Sequence, residues 1–555
     1  MKKRHLWLLS ALSGVLLALS WPARGFAPLA LVALVPLFWV EDFVLTRQLA
    51  QSSLPKKYRT RYHVPGYSYL TFLTWNILVT WWIWYSTPAA ILAVTLNALL
   101  MACVFTLFHV GSRNIFVKIT KERNGNRWLL FMAYWIGFEH FHHNWDVSWP
   151  WLTLGNAFAN CPRLVQWYEV TGVLGGSLWI LASNVLVFHW IKAWSTRKAF
   201  PVRPAVAACC VLLVPATISL LRHATYEPEG EPVEVVVVQP NIDPYLEQFS
   251  ISAQDAATRM LTLTSGKITP QTRFVVTPES MLQENIREDE IDLCPSVIRI
   301  QRFLENWPQA KVVAGISSYS RVAPQDSAQA GVRRSRWTDD PYLKFYRAHN
   351  SAIVISAGRN TDIPIYHKSK LTPGVEIMPF AKHLGFLEKL AIDLGGTTGT
   401  LGVDPEPMVF KDPIPFSDII CYESVFGGYV AWNVRKGARL LFVSTNDGWW
   451  KDSPGHRQHA AYARLRAIEN RRDVARSANT GISCFIDQKG EVFQATGYGQ
   501  PDCIRSVLRA NEKLTFYSRH GDILGRYCLT FSLFLLLLTV IYGCFPQALD
   551  RARRN

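Results

Sequence analysis

Asp418-Ile419-Ile420-Cys421-Tyr422-Glu423-Ser424-Val425-Phe426 decides the reading of this 555-residue chain. Two β-branched apolar residues deliver a cysteine into a polar turn, and a further apolar run follows. A buried strand that ends on a thiol and enters a helix has this pattern. A thiol at such a turn, near a cation, has a lowered pKa, and the thiolate is the nucleophile. Taken alone, the segment fits an inert buried cysteine equally well.

Outward from it, residues 234–478 alternate strand-like and helix-like runs. Glu234-Val235-Val236-Val237-Val238-Gln239 reads as a buried strand, with further strands at Phe274-Val275-Val276, Lys311–Ala314, Ser351–Ser356, Ile419–Cys421 and Leu440–Ser444. Helical spacing marks 253–266 and 456–472, and the basic stretch 321–341 reads as an exposed loop. The alternation predicts a layered α/β domain, not a sandwich or a bundle.

Apolar stretches flank that domain. Seven precede residue 223, at about 6–21, 26–40, 67–86, 88–110, 127–142, 170–191 and 204–221, and an eighth spans 527–545. Residues 528–542 hold ten Leu, Phe, Val or Ile and no charge, worth about 3–6 kcal/mol of membrane insertion. The division expected is 1–222 as a membrane domain, 223–523 as the soluble domain, and 524–555 as a last span with a basic tail. Residues 1–21 could instead be a cleaved signal peptide, but a second apolar stretch begins almost at once.

Basic residues set the orientation. Lys2, Lys3 and Arg4 precede the first stretch, and Arg47, Lys56, Lys57, Arg59 and Arg61 separate the second from the third. Arg113, Lys118, Lys121, Arg123 and Arg127 lie between the fourth and fifth; Lys192, Arg197, Lys198 and Arg203 between the sixth and seventh; Arg551, Arg553 and Arg554 follow the eighth. Alternate loops hold only Arg24 or Arg163. The positive-inside rule then puts both termini in the cytoplasm and 223–523 outside.

Composition excludes other classes. A net charge of +16 invites a nucleic-acid reading, yet no groove-reading motif accompanies it and topology explains the charges. The ten Cys form no CxxC pair, so no metal or disulfide framework is expected from them; pairing among Cys294, Cys484 and Cys503 stays open. Glu139-His140-Phe141-His142-His143 lacks zinc-helix spacing and reads as polar residues beside a span.

Two more segments carry reactive groups. Val276-Thr277-Pro278-Glu279-Ser280 brings a carboxylate off the end of a buried strand, where open α/β sheets place their sites. Tyr366-His367-Lys368-Ser369-Lys370-Leu371-Thr372-Pro373-Gly374-Val375-Glu376 offers a lysine able to stabilise an oxyanion. Pro278-Glu279-Ser280, Tyr366-His367-Lys368 and Cys421-Tyr422-Glu423, in that order, resemble the nitrilase, or carbon–nitrogen hydrolase, superfamily. The flanking spans, with Pro150-Trp151-Leu152, Ser444-Thr445-Asn446-Asp447-Gly448-Trp449-Trp450, Arg466-Ala467-Ile468-Glu469 and Ala478-Asn479-Thr480-Gly481, resemble the apolipoprotein N-acyltransferase family over nearly the whole chain. Thr277 and Phe249 depart from it, each standing where tryptophan is usual.

The resemblance implies about eight spans and an extracytoplasmic αββα sandwich, in a bacterial inner membrane with the soluble domain on the periplasmic side. It implies a general base Glu279, an oxyanion-stabilising Lys368 and an acylated nucleophile Cys421. Glu376 would orient the centre, Tyr422 and Glu423 would shape the pocket, and Asn446 and Trp449 would support it. Leu384–Val409 would be an arm hinged at Gly395-Gly396 and Gly399. The acyl donor would be a membrane phospholipid and the acceptor a diacylglyceryl-modified apolipoprotein, with no cofactor or metal; apart from the resemblance, no nucleic-acid partner is expected, and a monomer is expected. A membrane-tethered amidase would share the three central residues, and a transporter with an external domain would expect broken, polar spans.

Overall fold

The computed structural model describes residues 1–86, 90–115, 127–196, 200–248, 250–329, 331–335, 344–359, 362–378, 400–411 and 414–544. Phe249, the three hinge glycines and most of the expected arm lie outside these residues. So do Lys118, Lys121, Arg123, Arg197, Lys198 and the basic tail. The chain divides into two compact units: Met1–Trp81, Ala89–Ala224 and Asp522–Asn555 form one, and Trp82–Pro88 with Thr225–Gly521 the other.

The first unit is helical: α1 (Lys3–Leu19), α2 (Val35–Ala50), α3 (Val64–Thr80), α4 (Ala90–Gly111), α5 (Arg127–His142), α6 (Tyr168–Thr196), α7 (Val202–Thr225) and the last helix of the chain, Ile523–Cys544. Each apolar stretch overlaps one of these helices, the second only from Val35 on, its first half being the 3-10 turn Ala27–Leu31. Five of the helical segments are long and apolar enough to cross a bilayer: Ala27–Ala50, Ala90–Ile115, Tyr168–Thr196, Val202–Thr225 and Ile523–Ile541. α1, α3 and α5 have 16 or 17 residues, at the short end of the ~17–25 that a crossing takes.

Two boundaries differ from the sequence reading. α2 runs on through Arg47, beyond the apolar stretch that ends at residue 40. Its buried Glu41 pairs with Arg127 and, at 3.0 Å, with His109, so a charged residue is accommodated inside the helix. α3 stops at Thr80, and Trp81–Tyr85 continue as a 3-10 turn. Trp82 packs edge-on against Trp450 at 4.8 Å, which draws this turn into the second unit.

The second unit is an αββα sandwich. Its strands are β1 (Glu231–Gln239), β2 (Thr272–Val276), β3 (Leu282–Arg287), β4 (Lys311–Arg321), β5 (Val332–Arg334), β6 (Phe345–Ile355), β7 (Ile365–His367), β8 (Phe416–Ile420), β9 (Leu440–Thr445), β10 (Val474–Ala478), β11 (Cys484–Ile486), β12 (Val492–Ala495) and β13 (Asp502–Ala510). Its helices are α8 (Ala253–Ser265), α9 (Pro295–Leu304), α10 (Gly427–Arg435), α11 (Pro454–Asn470) and α12 (Phe516–His520). The first sheet runs β13-β1-β2-β4-β6-β5, with β3 beside β4 and β7 beside β6; the second runs β12-β11-β10-β9-β8.

Strand alternation explains the layers. Val235, Val237, Phe274 and Val276 face the second sheet, meeting Phe416, Ile420 and Phe442. Val236, Val238 and Val275 face the other way, onto Met260 of α8 and Ile300 of α9. Ile419, Leu441 and Val443 turn outward onto α10 and α11. Each fully buried Val, Ile or Phe adds about 1.5–3 kcal/mol, so a strand buried on both faces reads as a continuous apolar run. The parallel ladders β1-β2-β4 and β8-β9-β10 bring their carboxyl ends, and so Glu279 and Cys421, to one edge. Cys294, Cys484 and Cys503 are free thiols.

Candidate active site

Glu279 follows β2 on a turn that allows no side chain beneath it. Ser280 takes φ +53°, and a Cβ on Gly315 of β4 would stand 2.5 Å from Pro278 O and 2.8 Å from Glu279 Cα. Thr277 closes the strand, its N–H and hydroxyl both donating to Val313 O at 3.0 and 3.1 Å. Lys368, one residue past β7, is wholly buried and its N–H donates to Asn350 O at 2.9 Å.

The ammonium of Lys368 lies 3.0 Å from Glu279 Oε1 and 2.9 Å from Glu376 Oε2. Burial lowers its pKa, but Glu279, Glu376 and Cys421 outweigh burial and raise it well above the ordinary value. Glu376 is held ionised in turn: burial opposes this, and Lys368, the Thr372 N–H at 2.8 Å and Asn350 overcome it. A buried ammonium paired with two carboxylates leaves a local charge of about −1.

Cys421 opens a 3-10 turn, Cys421–Val425, with φ +50°. The structure corrects the expectation of an acidified thiol. Burial raises the Cys421 pKa well above the usual value, Glu279 and Asp447 add to the rise, and only Lys368 and a bond from Thr445 oppose it. The short turn supplies too little positive potential to reverse this. At rest the sulfur therefore carries its proton, within electrostatic reach of Glu279 and Lys368.

The supporting residues divide. Glu423 is a strut: its carboxylate accepts from Tyr366 OH and Ser369 N at 2.7 Å, Lys370 N at 3.1 Å and Ile420 N at 2.9 Å. It thereby ties the Lys368 segment to the Cys421 turn. Tyr422 is buried, edge-on to Phe426 at 5.1 Å. Asn446 acts through its backbone, whose N–H donates to Glu279 Oε2 at 3.1 Å, while its side chain is fixed by Gln248 at 2.7 Å. Trp449 packs edge-on against Tyr245 at 5.4 Å.

Residues that the sequence did not single out complete the arrangement. Asn350 Nδ2 donates to Glu279 Oε1 and Glu376 Oε1, both at 2.8 Å. Behind Cys421, His459 Nε2 lies 3.1 Å from Cys421 O and 2.9 Å from Ser424 Oγ. Its Nδ1 is 2.8 Å from Asp447 Oδ1, and Arg476 bonds Asp447 Oδ2 at 2.6 Å. Arg476, with burial opposing, keeps the Asp447 carboxylate far below its usual pKa. Asp447 stood inside a quoted motif; nothing in its spacing showed that it would meet His459 and Arg476.

Taken together, a carboxylate, an ammonium and a protonated thiol converge at one edge of the two-sheet sandwich, able to move a proton off sulfur and stabilise an oxyanion. Residues 13–186 match the Apolipoprotein N-acyltransferase N-terminal domain, and residues 232–505 match Carbon-nitrogen hydrolase. The Apolipoprotein N-acyltransferase of Chlorobaculum tepidum is 29% identical over 549 residues, 96% of this chain and 96% of that protein. Those of Geobacter metallireducens and Thermotoga maritima are 28% and 26% identical, covering 95% and 93% of this chain and 93% and 90% of theirs.

Proposed function

Because the chain belongs to the apolipoprotein N-acyltransferase family of the nitrilase superfamily, and is thus a membrane acyltransferase of lipoprotein N-acylation, we propose that it acts through a thioester on Cys421. The donor is a membrane phospholipid. The acceptor is the α-amino group of an N-terminal diacylglyceryl-cysteine. The observation that carries this reading is the Lys368 ammonium set between Glu279 and Glu376, with the Cys421 thiol in reach of both Lys368 and Glu279.

In the first step Glu279 takes the thiol proton as sulfur attacks the ester carbonyl. The S–C bond forms, Lys368 faces the oxyanion, and the C–O bond breaks. Glu279 returns the proton to the departing lysophospholipid alkoxide. In the second step the amine attacks the thioester carbonyl, an N–C bond forms and the S–C bond breaks. Glu279 relays the amine proton to the leaving thiolate. A thiol that is protonated at rest makes the base obligatory, and two steps replace one slow aminolysis of an ester.

The charge asymmetry of the loops supports eight crossings, with both termini cytoplasmic and the nitrilase-like unit on the periplasmic side of an inner membrane.

The test is peptide mass spectrometry of detergent-purified protein after incubation with phospholipid alone, beside Cys421→Ala. A hydroxylamine-sensitive fatty acyl mass on the Cys421 peptide, absent from the variant, is expected. An unmodified Cys421 with turnover of small amides would overturn the reading in favour of a hydrolase.

A further inference from the structure

On the face of the first sheet turned away from the second, three metal-ligating side chains converge outside the proposed reaction path. His349 on β6 and His367 on β7 are joined by Glu288, which begins the 3-10 turn Glu288–Leu293 after β3. Their ligand atoms all lie within 4.8 Å of one another. His367 Nε2 is 3.0 Å from Glu288 Oε1, His349 Nε2 is 3.9 Å from the same oxygen, and the ring centroids are 4.0 Å apart. Register accounts for the meeting. His349 pairs across the ladder with Ser318 of β4, and His367 pairs with Ser351 of β6, so the side chains share one face.

We propose that Glu288, His349 and His367 form a binding site for a divalent cation of the zinc class. Two imidazoles and a carboxylate are a recurrent zinc ligand set. Bonds of about 2.1 Å in tetrahedral geometry put ligand atoms about 3.4 Å apart, between the two separations to Glu288. His367 has the outer partner that a metal histidine needs. Asp404 Oδ1 lies 2.9 Å from His367 Nδ1, and Asp404 Oδ2 accepts the His367 backbone N–H at 3.0 Å, fixing the ring with Nε2 towards the site. Ser318 Oγ donates to Glu288 Oε1 at 2.8 Å, and Ser320 Oγ stands 2.7 Å from His349 Nε2, a contact that a bound cation would replace.

A plain ion pair is the competing explanation. Glu288 and Asp404 hold the His367 ring by its two nitrogens, at 3.0 and 2.9 Å. Such a pair needs His367, Glu288 and Asp404 only. It gives no reason for a second imidazole, only 6% exposed, to stand over the first. The cation would also have a structural consequence. His367 precedes Lys368, so fixing His367 to Glu288 holds the backbone that presents Lys368. This inference does not depend on the acyl-transfer reading.

The full-length protein, purified in detergent without chelator, should contain about one zinc per chain by elemental mass spectrometry. After chelation, added zinc chloride should raise its Tm by more than about 3 °C. His349→Phe keeps a ring stacked on His367, and Glu288→Gln keeps the shape of the carboxylate. Either should abolish both the zinc content and the shift, whereas the exposed Asp289→Asn should change neither. No stoichiometric zinc together with no Tm shift in the parent would overturn the proposal. So would full zinc retention in both ligand variants, which would mark an adventitious ion only.

Discussion

Asn350→Asp tests whether the amide between the two carboxylates holds the centre together. Asn350 Nδ2 gives one hydrogen bond to Glu279 and one to Glu376, each 2.8 Å. Hydrogen bonds to charged groups contribute about 1.5–3 kcal/mol each, so the pair sums to about 3–6 kcal/mol. Both acceptors keep Lys368 and a backbone N–H, and coupled losses do not add, so the lower end, about 3 kcal/mol, is expected. At 1.36 kcal/mol per decade that is about a hundredfold in rate. The shape is unchanged, but a third carboxylate joins a cluster already carrying about −1. The new acid's folded pKa is therefore raised above its unfolded value of about 3.9. Its cost is absent below that value and grows as pH rises to the folded pKa. Activity and Tm of the variant should both recover on acidification, because the protonated acid again donates one bond. The assay is acyl transfer from phospholipid to a diacylglyceryl peptide, with thermal unfolding in detergent, each followed over pH beside the parent. A variant matching the parent in rate and Tm at neutral and higher pH would refute the reasoning.

Other outcomes follow from the same geometry. Gly315→Ala forces the Glu279 turn outward against contacts of 2.5–2.8 Å; overpacking of about 1–3 kcal/mol should appear as a 10- to 100-fold loss in acyl transfer while circular dichroism stays native. Glu423→Gln turns an acceptor of four donors into a partial donor, and should lower stability by about 3 kcal/mol in denaturant titration. Asp418 is buried with Oδ2 lacking any partner among the described residues, and burial, with Glu423 and Glu279 adding, raises its pKa to about 8. Its folded pKa exceeds the unfolded value, so its cost is absent below about pH 4 and complete above about pH 8. Asp418→Asn should therefore flatten the fall in Tm between about pH 5 and pH 8, an effect of at most on the order of 4 kcal/mol; an unchanged slope would sink this assignment.

How far the sequence revealed this structure depended on how local each signal was. β1, β2, β8 and β9 were readable because both their faces are buried, which leaves runs such as Val235–Val238 with no polar interruption. β3, β5, β7 and β10–β13 were missed because most are short, and strands such as β12 are half exposed and mix polar with apolar residues. Glu279, Lys368 and Cys421 stand out in the sequence as candidates because each sits in a short pattern at a strand end. Asn350 lies inside β6, where nothing marks an amide as a bridge between carboxylates 71 positions before it and 26 after it. The Asp447–His459–Arg476 network and the Glu288–His349–His367 cluster are likewise products of register, visible only once the strands are paired. Trp82 was read as the end of a span because an apolar indole suits a bilayer and a protein core equally.

The sign of the Cys421 shift bears on how one centre serves transfer without becoming a promiscuous hydrolase. A pre-formed thiolate would be reactive whenever the site is open. Here burial and the excess carboxylate charge keep the proton on sulfur, so in the proposed reaction attack is concerted with transfer to Glu279. That transfer removes the negative charge of Glu279, leaving Lys368 less neutralised at the moment when the carbonyl oxygen gains its own. The cation is thus released towards the oxyanion by the step that creates it. Such stabilisation is stronger in the transition state than at rest, which is the condition for raising a rate. In the proposed second step the same exchange would run in reverse as the acceptor amine, a better nucleophile than water, enters: its proton would pass to Glu279, and the thiolate that leaves would recover the proton that burial demands.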